Sequence, residues 1–213
     1  MNDNVETAAI STHTEGHVHR DDEGSKMGMW LFLFTELLLF GGMFILYAAY
    51  RFKYADGFKA AAIEMNTFIG AVNTIVLLTS SLTIALSIHS LRVNQKKLSI
   101  YLMMFTLLCG LIFLVNKYFE WSHEIHNGIY PQGPALDNMS EGEIMYFGLY
   151  YVMTGLHGLH VAVGMIFISI IMVFVIRDKV TASNHMKLEN AGLYWHLVDI
   201  IWIFLFPLFY LIH

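Results

Sequence analysis

Charge is what this sequence has least of: only 14% of its 213 residues are Asp, Glu, Lys or Arg, against roughly a quarter in a soluble globular domain. With 56% hydrophobic and 15% aromatic residues beside it, that deficit excludes a water-soluble body for the chain. Cysteine is reduced to a single residue, Cys109, which excludes an internal disulfide and gives no metal cluster. Cys109 lies inside an apolar run and reads as a small packing residue. The N-terminal stretch lacks the basic start, short apolar core and small-residue cleavage site of a signal peptide, so no processing is expected. A net charge of −5 makes nucleic acid an unsuitable partner.

What the sequence has in place of charge is long apolar runs. A helix needs about 20 apolar residues to cross the hydrocarbon core, and five segments qualify, approximately 27–50, 67–91, 98–119, 144–176 and 191–212. They are continuously apolar, without the alternation of barrel strands, so backbone satisfaction in lipid requires helices. The expected fold is all-α, an integral membrane bundle of five transmembrane helices filling 27–213. Residues 1–26 read as a polar, acidic, disordered or extended cytoplasmic tail. Its His13, His17 and His19 have neither a cysteine nor an ordered carboxylate to complete a metal site, and no metal is expected.

Orientation follows from the basic residues. Arg20, Lys26, Arg92, Lys96, Lys97, Arg177, Lys179 and Lys187 fall on the N-terminal side, and Arg51, Lys53, Lys59 and Lys117 on the other. Eight against four places the N-terminus in the cytoplasm and the C-terminus outside. The connection from Trp121 to Glu143 has no Lys or Arg; Pro131, Gly133 and Pro134 with Asp137, Glu141 and Glu143 read as a solvated, turn-rich loop.

An ionisable side chain at mid-membrane costs about 3 kcal/mol on insertion scales, so each one inside a span is a functional candidate with a partner to be found. Glu36 stands about ten residues into the first run with no basic residue within a helical turn. Desolvation there favours the neutral acid, either as a proton-exchanging group or as a plain hydrogen-bonding one. In the fourth run, Gly155-Leu-His157-Gly158-Leu-His160 puts two imidazoles on one face. In the fifth, His196 and Asp199 are one turn apart, close enough for the carboxylate to fix the imidazole tautomer. Haem ligation by these histidines is the competing reading, and one-turn spacing argues against it. Ferritin-like di-iron sites need Glu-x-x-His pairs on two helices, and Glu120 with His123 has no mate. A transporter is disfavoured because inverted repeats and broken-helix pairs are missing.

Five patches in order resemble subunit III of cytochrome c oxidase: Met29 to Gly41 around Glu36; Asn73 to Ser81 with His89 and Ser90; Tyr118-Phe119-Glu120; Gly155 to Gly164 around His157 and His160; and Glu189 to Trp202 around His196 and Asp199. The resemblance covers nearly everything after Gly24. It implies a non-redox accessory subunit of a proton-pumping haem-copper oxidase, which oxidises cytochrome c and reduces oxygen to water. The subunit would hold no haem or copper and have no catalytic residue. It would pack on oxidase subunit I, with subunit II as a further partner and cytochrome c reached through the complex. It would also bind phospholipid, with Arg177 a candidate for the headgroup, and support proton uptake from the inner side. Carried over by position, Glu36 is the family's buried carboxylate, and Glu120, His157, His160, Glu189, His196 and Asp199 form an intramembrane polar network. Longer members have seven helices, the patch around Glu36 lying on the third, so this chain lacks the first two and whatever lipid cleft they bound. A bacterial cell membrane is the expected location. A quinol oxidase or an accessory subunit of nitric oxide reductase would carry the same bundle.

Overall fold

The computed structural model describes residues 22–212, so the tail expected at 1–26 lies, as far as residue 21, outside the described residues. The described residues form six α-helices: α1 (Asp22–Lys53), α2 (Ala55–Ile63), α3 (Thr67–Arg92), α4 (Lys96–His126), α5 (Glu141–Ile176) and α6 (Met186–Tyr210). All but α2 are long and apolar enough to cross a membrane. Because these five run alternately up and down, α2 and the 3-10 turn at Pro134–Asn138 sit at the face where α1 ends.

Several helices outrun the apolar segments that announced them. Residues 22–26 already belong to α1, and α4 continues to His126 where the hydropathy ends near Phe119. A helix has no reason to stop at the hydrocarbon boundary: a 31-residue helix such as α4 is about 46 Å long at 1.5 Å per residue, close to the full thickness including headgroups. This extension has a consequence for Lys117. Counted above as a charge of the outer side, it is instead a buried residue inside the bundle. That leaves three basic residues on that side and sharpens the asymmetry.

α6 is the axis of the fold and α1 its loosest member. Half of the apolar window of α6 is buried against 11% for α1. Trp195 and Trp202 of α6 are fully enclosed, and a Cβ added to Gly110 of α4 or Gly164 of α5 would come within 3.0 Å of the Trp195 ring. Small residues thus let three backbones close on one indole, the packing device available where lipid supplies no hydrophobic drive. Short polar pairs seam α3 to α4: Asn116 Nδ2 donates to Asn73 Oδ1 at 2.8 Å, Thr83 and Thr106 hydroxyls meet at 2.8 Å, and those of Ser87 and Ser99 at 3.0 Å.

A helix end leaves carbonyls without intrahelical partners, and at α6 other helices supply them. Tyr47 of α1 donates to Leu208 O, Tyr146 of α5 to Phe209 O at 2.5 Å, and Thr67 of α3 to Tyr210 O at 3.0 Å. The unforeseen α2 is an Ala-rich segment that buries Phe58, Ala61 and Ala62. It lies so hard on the first turn of α5 that a Cβ on Gly57 would stand 2.7 Å from Gly142 Cα. That turn is fixed in place by a capping box between Ser140 and Glu143.

Candidate functional site

Glu36 has no basic residue within a turn of it on its own helix, and the fold brings it a histidine from α5. His160 Nε2 lies 2.9 Å from Glu36 Oε2, and both side chains are mostly enclosed, at 14% and 16% exposure. The other ring nitrogen decides the chemistry. His160 Nδ1 is 2.8 Å from the carbonyl of Leu156; a carbonyl only accepts, so Nδ1 carries a hydrogen. If the imidazole is neutral, Nε2 is an acceptor and Glu36 must be the donating acid; if it is imidazolium, Glu36 is carboxylate. Either way one proton lies on the line between Nε2 and Oε2 and the pair has no net charge. Phe40 packs its ring edge against His160, and Tyr194 donates to His160 O at 3.1 Å.

A second pair lies deeper, among α4, α5 and α6. Lys117 Nζ donates to Glu120 Oε1 at 3.1 Å and to the hydroxyls of Tyr150 and Tyr210, each at 2.9 Å. Both tyrosines donate in turn to Glu120 Oε1. All three ammonium hydrogens are used, and the two side chains are 8% and 5% exposed. Trp202 adds its ring face 5.5 Å from Nζ. Of these residues only Glu120 belongs to the expected network. Lys117 was legible: a Lys three positions before a Glu in an apolar helix forms a one-turn ion pair, but counting it as a loop charge hid it.

The expected pairing of His196 with Asp199 is not formed. Spacing puts them one turn apart, yet His196 Nδ1 turns to Ser81 Oγ of α3 at 2.6 Å. Asp199 is 2% exposed and neither carboxyl oxygen has a hydrogen-bond partner. The Ser81 hydroxyl also lies at the edge of hydrogen-bonding reach of that carboxyl, but its short bond goes to the imidazole. His157, one turn from His160, does not share its neighbour's role either. It points into the core with 0% exposure, edge-on to Phe113 and tilted against Trp202. Neither ring nitrogen of His157 has a hydrogen-bond partner.

Glu189 stands apart from the other residues of the expected network. It stands in the first turn of α6, paired with Arg92 at the end of α3 and with His185 at 2.9 Å. Arg177 is the exposed residue that ends α5; close by, Lys96 donates to Ile176 O at 2.9 Å and to Asp178 at 2.7 Å. Among the described residues no cluster of three or more His, Cys, Asp or Glu side chains could hold a metal ion.

A bundle of five membrane-crossing helices that pairs its enclosed charges, Glu36 with His160 between α1 and α5 and Lys117 with Glu120 within α4, is a multi-pass membrane protein. The family profile described as cytochrome c oxidase subunit III matches residues 3–213. The chain belongs to that family. It is 31% identical to a probable quinol oxidase subunit 3 of Staphylococcus saprophyticus, over 91% of this chain and 92% of the relative. A probable quinol oxidase subunit 3 of Staphylococcus haemolyticus is 30% identical over 100% and 97%, and that of Staphylococcus aureus strain USA300 is 29% identical over 94% and 95%. The chain is accordingly an accessory subunit III of a haem-copper oxidase, a multi-pass protein of a bacterial membrane that works with other oxidase subunits.

Proposed function

We propose that this chain is the non-redox third subunit of a proton-pumping terminal oxidase that takes its electrons from quinol, holding the catalytic subunit in place and supporting its proton supply. The observation that carries the accessory role is the pairing of Glu36 with His160 between α1 and α5, and of Lys117 with Glu120 within α4 under the hydroxyls of Tyr150 of α5 and Tyr210 of α6, which ties these ionisable groups into the packing between helices. Quinol as donor rests on the names of similar relatives, whereas the family description points to cytochrome c. The chain's own residues carry no feature that reads the donor, which is consistent with a donor site in the partner subunits I and II. Haem and copper belong to those partners, and phospholipid bound at the bundle surface, with Arg177 near its headgroup, completes the reading. The N-terminal side faces the cytoplasm, supported by eight basic residues against three once Lys117 is removed from the loops.

Purifying the complex through this subunit tests these statements together. The expected result is a co-purifying catalytic subunit, oxygen consumption driven by quinol and not by reduced cytochrome c, and no Soret absorbance on the separated subunit. Activity with cytochrome c and copper in the co-purified second subunit would overturn the donor assignment. A stoichiometric haem on the separated chain would overturn the accessory role.

A further inference from the structure

The end of the bundle where α1 and α6 finish divides its charges between two clefts. One lies against the first turn of α5 and is lined by Lys53, Asp56, Ser140 and Glu141, with the Tyr54 hydroxyl donating to Glu141 at 3.1 Å. Acid and base occur there together, and the Lys53 ammonium rests 4.8 Å from the Tyr54 ring. The other cleft is a trough of about 650 Å³ between the last turns of α1 and α6. Its charged lining is Arg51 and Lys59 alone, and among the described residues neither is ion-paired with a carboxylate.

Away from these two cations the trough is apolar, with Phe44 and Ala48 on its α1 wall and Phe204 and Leu208 on its α6 wall. From Phe44 to Arg51 is about two helical turns, or about 10 Å at 1.5 Å per residue, so the apolar walls run that far from the charges toward the membrane interior. Tyr47 also lines the trough and donates its hydroxyl to Leu208 O, and Arg51 stands within reach of the same hydroxyl. The guanidinium is thereby kept on this side of α1, while Lys59 reaches the trough from α2.

Two cations at a helix end are ordinary by themselves, since long basic side chains reach the interface with their stems on apolar surface. These two share a gap between helices that the protein's own side chains leave open. The gap borders α1, which buries only 11% of its apolar window. Left empty, it would forfeit contacts on both walls, and what fills it must be apolar along the walls and anionic beside Arg51 and Lys59.

We propose that this trough binds an anionic phospholipid from the leaflet at which α1 ends, with one acyl chain laid between α1 and α6 and the phosphate held by Arg51 and Lys59. Arg51 offers its planar fork to two phosphate oxygens, and Lys59 adds a point charge. The site is separate from the surface near Arg177, which ends α5 at the opposite membrane face, and it does not depend on the electron donor of the oxidase. The bound lipid ties the loosest helix to the central one and brings α2 into the same contact.

The test uses the intact oxidase complex in phosphatidylcholine vesicles that contain a small fraction of lipid with a photoactivatable group on its acyl chain, either phosphatidylglycerol or phosphatidylcholine. Peptides labelled on illumination are identified by mass spectrometry. Expected is labelling of segments 44–48 and 204–208 that is at least about fivefold stronger with phosphatidylglycerol, the worth of one basic residue beside an anionic headgroup. Arg51→Gln combined with Lys59→Gln should lower it to the phosphatidylcholine level and leave labelling of α3 and α4 unchanged; both residues are exposed, so the packing stays intact. Equal labelling by the two lipids, or a preference that persists in the double variant, would overturn the site. So would a trough that neither lipid labels, including one whose walls cross-link to a partner subunit. The comparison of the two lipids on the parent complex needs no variant, so it stays decisive if the double variant fails to assemble.

Discussion

The two enclosed charge pairs among the described residues both set a carboxyl group against a basic side chain, and hold their helices in opposite ways. Lys117 and Glu120 sit one turn apart on α4, where the helix presets their distance, and two tyrosines from α5 and α6 close over them until every ammonium hydrogen is engaged. Glu36 and His160 come from different helices, meet through one bond, and share one proton. The first arrangement locks three helices that are already tightly packed. The second joins α5 to α1, which Tyr47 also ties to Leu208 O and only 11% of whose apolar window is buried. The most tightly packed region thus carries its ion pair in a closed knot, whereas the enclosed carboxyl of the loosest helix meets its partner through one contact.

Breaking the knot should have the largest effect. Lys117→Met leaves Glu120 as an uncompensated buried charge, which costs about 3–5 kcal/mol, and the subunit should be lost from the complex on purification. Lys117→Met combined with Glu120→Gln removes the stranded charge and should restore much of the retention measured by quantitative subunit staining. Next in size, His160→Phe fills the space beside Phe40 but deprives Glu36 of its partner. The expected loss is about 1–2 kcal/mol, the upper range for hydrogen bonds between membrane helices, with α1 becoming more accessible to protease while α4 to α6 are unchanged. Ser81→Ala removes the hydroxyl that holds His196 at 2.6 Å and should cost about 0.6 kcal/mol, visible as a small fall in thermal midpoint.

The smallest expected effect concerns Glu64, which ends α2 outside the spans. Burial, and then the neighbouring Glu143, hold its carboxyl above the ordinary value. A group that binds its proton more tightly when folded stabilises below its unfolded value, and that contribution is lost as pH rises through the folded one. Glu64→Gln should therefore melt like the parent at pH 4 and slightly above it at pH 8. An equal shift at both values would show that the effect is not protonic.

How far the sequence spoke depended on whether an interaction was local. The five apolar runs announced the spanning helices, because length and hydropathy are properties of consecutive residues. Boundaries were off at α1, α4 and α6, since charged residues end an apolar run without ending a helix. Glu36 was legible as a buried carboxyl needing a partner, but His160 lies 124 positions away and no local pattern pairs them. The one-turn spacing of His196 and Asp199 suggested a bond that tertiary packing diverted to Ser81. Lys117 illustrates the converse error: its pairing with Glu120 is local, and was passed over because a lysine near a helix end reads as solvated. α2 escaped because a short Ala-rich segment between spans resembles a linker until Gly57 and Gly142 bring it onto α5.

The contrast between lock and joint is tested most directly by two double-mutant cycles on the purified complex, one for Lys117→Met with Glu120→Gln and one for Glu36→Gln with His160→Phe, each read as subunit retention against denaturant. The account predicts a coupling energy for the Lys117 pair larger by about 1 kcal/mol or more, since buried pairs with every hydrogen engaged couple most strongly. It also predicts that Glu36→Gln alone is nearly neutral, because the Gln amide can still donate to His160 Nε2. Equal coupling in the two cycles, or a larger value for Glu36 with His160, would contradict it.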